Sequence, residues 1–221
     1  MKNLFFFLAI SFLFIACKDT TLHNSFIYFS EAQPVNVAVI NSFPKKFVRT
    51  YSLNYSNRLT IEPKCIFRTE IETKTILKSK LDSLPKFELR NNQVFDTSLK
   101  KAYKTFIKGD TLTFEIDHID TLFSFAKNEI AKEYKAALIL NKMVENKYQT
   151  SIIKFSSLHM HHIQLGTKKD FLKLKAQLKI PYQAHLKEQD TTSVCLSPTR
   201  ADFRKLLRID DFEYQSNYLF R

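Results

Sequence analysis

Two glycines, Gly109 and Gly166, are all that this chain of 221 residues contains, and their wide separation removes several architectures at once. A dinucleotide fingerprint needs three closely spaced glycines, a Walker loop needs two around its phosphate cradle, and a nucleophile elbow needs glycine on both sides of its serine. None can be built here. His-Glu-x-x-His, paired Cys-x-x-Cys and an EF-hand loop are missing too, so the sequence calls for no cofactor and offers no catalytic motif.

The first residues carry another kind of information. Met1-Lys2-Asn3 is followed from Leu4 to Ile15 by twelve residues of which only Ser11 is polar, and Ala16-Cys17 comes before the first acidic side chain. A positive start, an apolar stretch within the roughly 7–15 residues of a signal h-region and a small residue before the cut form a signal-peptide layout. An uncleaved anchor would need about 20 apolar residues to span a bilayer, and this run stops at Ala16. The segment Phe14-Ile15-Ala16-Cys17 resembles the lipobox of bacterial lipoproteins, with Phe14 where leucine is commonest. The resemblance implies cleavage before Cys17 and a diacylglycerol thioether on its sulfur. Residues 1–16 are then leader, 17–25 the lipidated cysteine and a polar tether, and 26–221 the body. Each buried acyl methylene contributes about 0.8 kcal/mol, so two or more chains hold such an anchor stably.

Without residues 1–16 the chain keeps 205 residues, enough for one domain or two small ones with a real core. A hydrophobic fraction of 44% and 21 Phe, five of them in the leader, argue against disorder. Loss of Lys2 takes Lys and Arg from 34 to 33 against 22 Asp and Glu, leaving about +11. On an exported body that charge points away from nucleic acid and towards anionic lipid, acidic polysaccharide or an acidic envelope protein. The lysines are scattered, with no run of five or six, which is also the pattern of a solvated surface.

Strand signals dominate the body. Val35 to Ile40, Phe47 to Leu53, Arg58 to Ile61, Cys65 to Phe67 and Ile71 to Leu77 are rich in aromatic and β-branched residues, punctuated by Asn57 and Pro63. Lys78 to Leu84 reads as a short helical turn closed by Pro85. From Ala102 to Phe125 the spacing predicts a three-stranded meander, with a turn at Lys108-Gly109-Asp110 and a second break around Asp117 to Asp120. Lys127 to Lys132 reads as a short helix or loop, followed by strands over Ala136 to Leu140, Tyr148 to Phe155 and Leu158 to Leu165. Thr167-Lys168-Lys169-Asp170 and Thr199-Arg200-Ala201-Asp202 are capping-box patterns before helically spaced apolar residues, so two helices are expected. The chain closes on an aromatic strand, Phe212 to Phe220.

The order of elements over Phe47–Leu84 and Tyr134–Leu178 is similar, which raises two halves, about 35–126 and 127–221, as a possible duplication. Phe47-Val48-Arg49-Thr50-Tyr51 faintly resembles the first strand of lipocalin-like barrels, with Arg49 and Tyr51 in place of the Gly and Trp of that signature. The resemblance implies at most a small antiparallel barrel with room for an apolar ligand.

Four constellations stand out. His159-Met160-His161-His162 on a strand would put His159 and His161 on one face, where both could reach a metal; a third ligand is not identifiable unless the fold brings in His118 with Asp117 and Asp120. Cys65 and Cys195 remain once Cys17 is lipidated, either bridged or as buried thiols. Glu70 with Glu72, and Asp210 with Asp211, are carboxylate pairs that read as solvated surface, with nothing to separate their pKa values. The expectation is a mainly β or α+β body of antiparallel meanders or a small barrel, with two short helices in its C-terminal third. It is anchored by Cys17 to the cell or outer membrane, outside the cytoplasm, as a non-catalytic binding or structural component. The alternatives are an envelope-directed hydrolase and a carrier of an apolar ligand.

Overall fold

The structure, a computed structural model, describes residues 25–220; Cys17 and residues 1–16, where the sequence suggests a leader, lie outside the described residues. In chain order its elements are β1 (Ile27–Phe29), β2 (Val39–Ile40), β3 (Arg49–Ser52), β4 (Asn57–Ile61), β5 (Cys65–Leu77), α1 (Lys78–Leu81), β6 (Phe87–Arg90), β7 (Gln93–Asp96), β8 (Lys101–Tyr103), β9 (Thr105–Lys108), β10 (Thr111–Ser124), β11 (Ile130–Tyr134), β12 (Ala137–Val144), β13 (Lys147–Phe155), β14 (His159–Gln164), α2 (Lys168–Gln177), β15 (Tyr182–Lys187), β16 (Asp190–Leu196), α3 (Arg200–Leu206) and β17 (Tyr214–Phe220). With 53% strand and 14% helix the body is mainly β with helices added, as the alternation predicted.

Fourteen strands form one sheet whose path runs β15-β16-β1-β13-β14-β17-β3-β4-β5-β10-β9, with β12, β11 and β2 branching from β13. Its pairings are antiparallel except β1 with β16, which are parallel through Ile27–Val194 and Phe29–Leu196. The path ends on β15 and β9 without joining them, so the sheet does not close into a barrel. The small-barrel alternative, and with it the lipocalin-like enclosure, is therefore set aside. Strands β6, β7 and β8 make a separate three-stranded sheet.

Strands β12 and β13 bury both faces, and side chains alternate across them. Ile139 and Ile152 point into a core completed by Phe171 and Leu174 of α2, Phe203 and Leu206 of α3, and Phe29 of β1. Leu138, Leu140 and Ile153 point the other way, into a core with Tyr51, Leu59, Ile66, Phe123 and Tyr218, where the continuing sheet packs back. A third, smaller core gathers Leu112, Phe114 and Ile116 of β10 with Val94, Tyr103 and Leu81 at the far end of the long β5–β10 ribbon.

The helices start where the sequence placed them. Thr167 accepts from the Asp170 amide at 3.0 Å, the Asp170 carboxylate accepts from the Thr167 amide in return, and Thr199 with Asp202 repeats the arrangement. Phe171 and Leu174, three residues apart, then face the sheet. Gly109 supplies its turn with φ +57°. The other tight hairpin turns are made without glycine: Asn91-Asn92, Lys135-Ala136, Glu145-Asn146 and Glu188-Gln189 all hold positive φ at both positions. That left-handed pair matches the twist of the flanking strands, and it costs non-glycine residues backbone strain.

Three sequence expectations are corrected. The break at Asp117 to Asp120 is absent: β10 continues through it, because Asp120 is paired to Arg68 across the ribbon at 2.7 Å and His118 to Glu72 at 3.1 Å. The proposed meander is thus one hairpin, β9–β10, while Lys101 to Tyr103 pairs with β7. Lys127 to Lys132 is neither helix nor loop in its second half, since β11 there pairs with β12 and β2. The run from Val35 to Ile40 yields strand only at Val39–Ile40.

Two stability measurements follow from these elements. Replacing Gln189 (φ +72°) by Gly should raise stability by about 0.5–1 kcal/mol by relieving the left-handed strain, seen as a higher urea midpoint at unchanged slope. Replacing Asp170, 1% exposed and accepting also from the Glu213 amide at 2.9 Å, by Ala should cost roughly 2 kcal/mol through orphaned backbone donors.

Candidate functional site

Helix α3 buries Phe203 and Leu206 against the sheet, so Arg204, Leu207 and Arg208, spaced three and four apart, share the flank beside them. That flank faces the turn Lys135-Ala136, whose left-handed backbone swings β11 back into β12. It also faces the end of β13, where Lys154 and Phe155 lie. Together with Ala137 these residues line an open cavity of about 380 Å³, within the roughly 300–1,000 Å³ range of small-molecule sites. One wall is apolar: Ala137 belongs to the helix-side core, Leu207 packs against it, and Phe155 stacks on Phe47 with ring centroids 4.4 Å apart. The remaining lining is Lys135, Lys154, Arg204 and Arg208.

Four cations thus surround one concavity. Lys154 is held in place by donating to the Ile209 carbonyl at 3.3 Å and by Asp210, 3.6 Å away and largely solvent-facing. Among the described residues no second ion pair forms at the cavity. An array of this kind attracts and orients anions; it holds fixed positive charge against an apolar surface.

The histidines sort by strand alternation. His161 is cross-strand neighbour to Lys154, one position from the cavity, and its Nδ1 lies 2.7 Å from Asn217 Oδ1. His159 and His161 share a face, with rings 6.1 Å apart, as the alternation required. His118 stands on β10, five strands away from β14 in the sheet order, paired with Glu72. The described residues contain no group of three or more His, Cys, Asp or Glu placed to hold a metal. The hydrolase reading is likewise given no convergence of these histidines. Asp210 meets the site through Lys154, and Lys173 donates to the Asp210 and Asp211 carbonyls; Glu70 is paired in register with His118 and Asn57. Cys65 and Cys195 are both free thiols. Cys65 is half-buried with its Sγ 3.7 Å from Glu62, and Cys195 is buried in β16.

His162 is a histidine the sequence did not single out. It faces the sheet-side core with Ile153, its cross-strand partner, half-buried. Burial, and then the charge of Arg68, hold its imidazolium pKa down to about 4. No helix among the described residues is long and apolar enough to cross a membrane. Compared with known proteins, the chain matches no family model, no curated protein and no solved structure.

The His162 shift fixes a pH dependence. The folded chain keeps the ring neutral while the unfolded chain protonates it near 6.5, so stability is full above about pH 6.5 and falls as pH drops towards 4. The loss attached to this one group is on the order of 3 kcal/mol. Urea titrations of His162→Gln should show a shallower decline between pH 7 and 4.5 than the parent chain; parallel declines would refute the assignment.

Proposed function

We propose that the chain is a lipid-anchored, extracytoplasmic binding protein of the cell envelope, held to the cell or outer membrane through an acylated Cys17. The observation that carries this reading is the apolar run Leu4 to Ile15 leading into Ala16-Cys17, which is too short to span and ends at a modifiable sulfur. The body supports it in two ways. Ser25 is already buried and donates to the Ile27 carbonyl at 2.8 Å. The fold is thus tied down within seven residues of Lys18, a tether of at most roughly 25 Å at about 3.5 Å per residue. The cavity of α3 and β13 then offers recognition by charge and apolar contact at a body kept close to a lipid surface. Partners expected there are membrane lipid and other anionic components of the envelope.

The anchor is tested by Cys17→Ser. The variant should accumulate as uncut precursor and take up no radiolabelled palmitate, whereas the parent is cut and labelled. Equal labelling of both would sink the proposal.

A further inference from the structure

The four cations at the cavity come from three separate pieces of chain: the β11–β12 turn, the end of β13 and the α3 flank. Like charges brought together in this way repel unless something offsets them. Asp210 offsets one, which leaves an excess of about three positive charges around 380 Å³. Two of them are arginines, whose planar forks present paired donors suited to phosphate or carboxylate oxygens. A carboxylate brings one negative charge, whereas a phosphate monoester brings about 1.5–2 at neutral pH together with three acceptor oxygens. The charge excess matches the second. Beside the cations, Ala137, Leu207 and Phe155 leave a surface that water wets poorly and an apolar group would cover.

From this geometry we infer that the cavity binds a phosphate monoester carrying an apolar group. The phosphate lies between Arg204, Arg208, Lys135 and Lys154, and the apolar part lies on Phe155 and Leu207. The inference rests on reading the chain as a binding protein, and it names the ligand class. A lipid headgroup and a soluble phosphate ester share this chemistry.

Calorimetric titration of the full chain in a nonionic detergent separates the cases. The probes are phenyl phosphate, benzoate and water-soluble dihexanoyl phosphatidic acid. Phenyl phosphate or the short phosphatidic acid should bind, with benzoate, which has the same ring and less charge, weaker by roughly tenfold or more. Binding of phenyl phosphate assigns a soluble ester, and binding of the phosphatidic acid alone assigns a lipid headgroup; both support the inference. The double variant Arg204→Gln with Arg208→Gln, two exposed residues whose loss leaves the cores intact, should weaken binding by about tenfold or more. Lys187→Gln, exposed on β15 away from the cavity, should leave it unchanged. Binding of neither phosphate, equal binding of benzoate, or undiminished binding by the double variant would overturn it. Acyl labelling of the same preparations reports the anchor separately, so a failed cavity and a failed anchor are read independently.

Discussion

Two-sided burial of β12 and β13 is the constraint on which the rest of the molecule depends. Ala137 and Ile139 go to one side and Leu138 and Leu140 to the other, each 4% exposed or less. Such a strand is stable only if both faces are covered. On one side the cover is α2 and α3; on the other it is the same sheet returning through β3, β4 and the base of β5. The two cores therefore share their central wall. A defect in that wall is felt by both, because close-packed interiors transmit rather than absorb a change of volume.

The cavity is a by-product of how one cover ends. α3 is seven residues long, and Leu207 and Arg208 just past its end meet Lys154, Phe155 and the Lys135-Ala136 turn at the cavity. Lys154 then turns to the loop after α3, where the Ile209 carbonyl and Asp210 receive it. Several surface lysines elsewhere on the body meet single carboxylates, as Lys46 does Glu133 and Lys101 does Asp117. At the cavity four cations gather beside an apolar wall.

How legible these features were in the sequence follows from their range. The capping boxes at Thr167 and Thr199 are complete within four residues, and both were readable because nothing distant decides them. The turn at Gly109 was readable for the same reason. Strands β15 and β16 were largely missed: Tyr182 to Lys187 is an exposed edge with little apolar alternation, and it is strand because β16, itself paired to β1, stands beside it. The apparent break at Asp117 to Asp120 misled because polar residues inside a strand look like a turn until their partners, Arg68 and Glu72, are seen across the ribbon. Two of the four hairpin turns without glycine gave no signal either, since Lys135-Ala136 and Glu188-Gln189 take up left-handed angles only when paired strands force them to.

The sequence by itself determined the mainly β character, the places where the two principal helices begin, the face shared by His159 and His161, and the apolar run from Leu4 to Ile15 that precedes Cys17. These depend on periodicity and on contacts within a few residues, which a linear reading contains. The tertiary structure decided that the sheet stays open, that His162 is turned inward beside Arg68, and that Lys135, Lys154, Arg204 and Arg208 meet. Each of those is a matter of long-range pairing, and the sequence separation of such partners is set by how the sheet folds back on itself rather than by any local propensity.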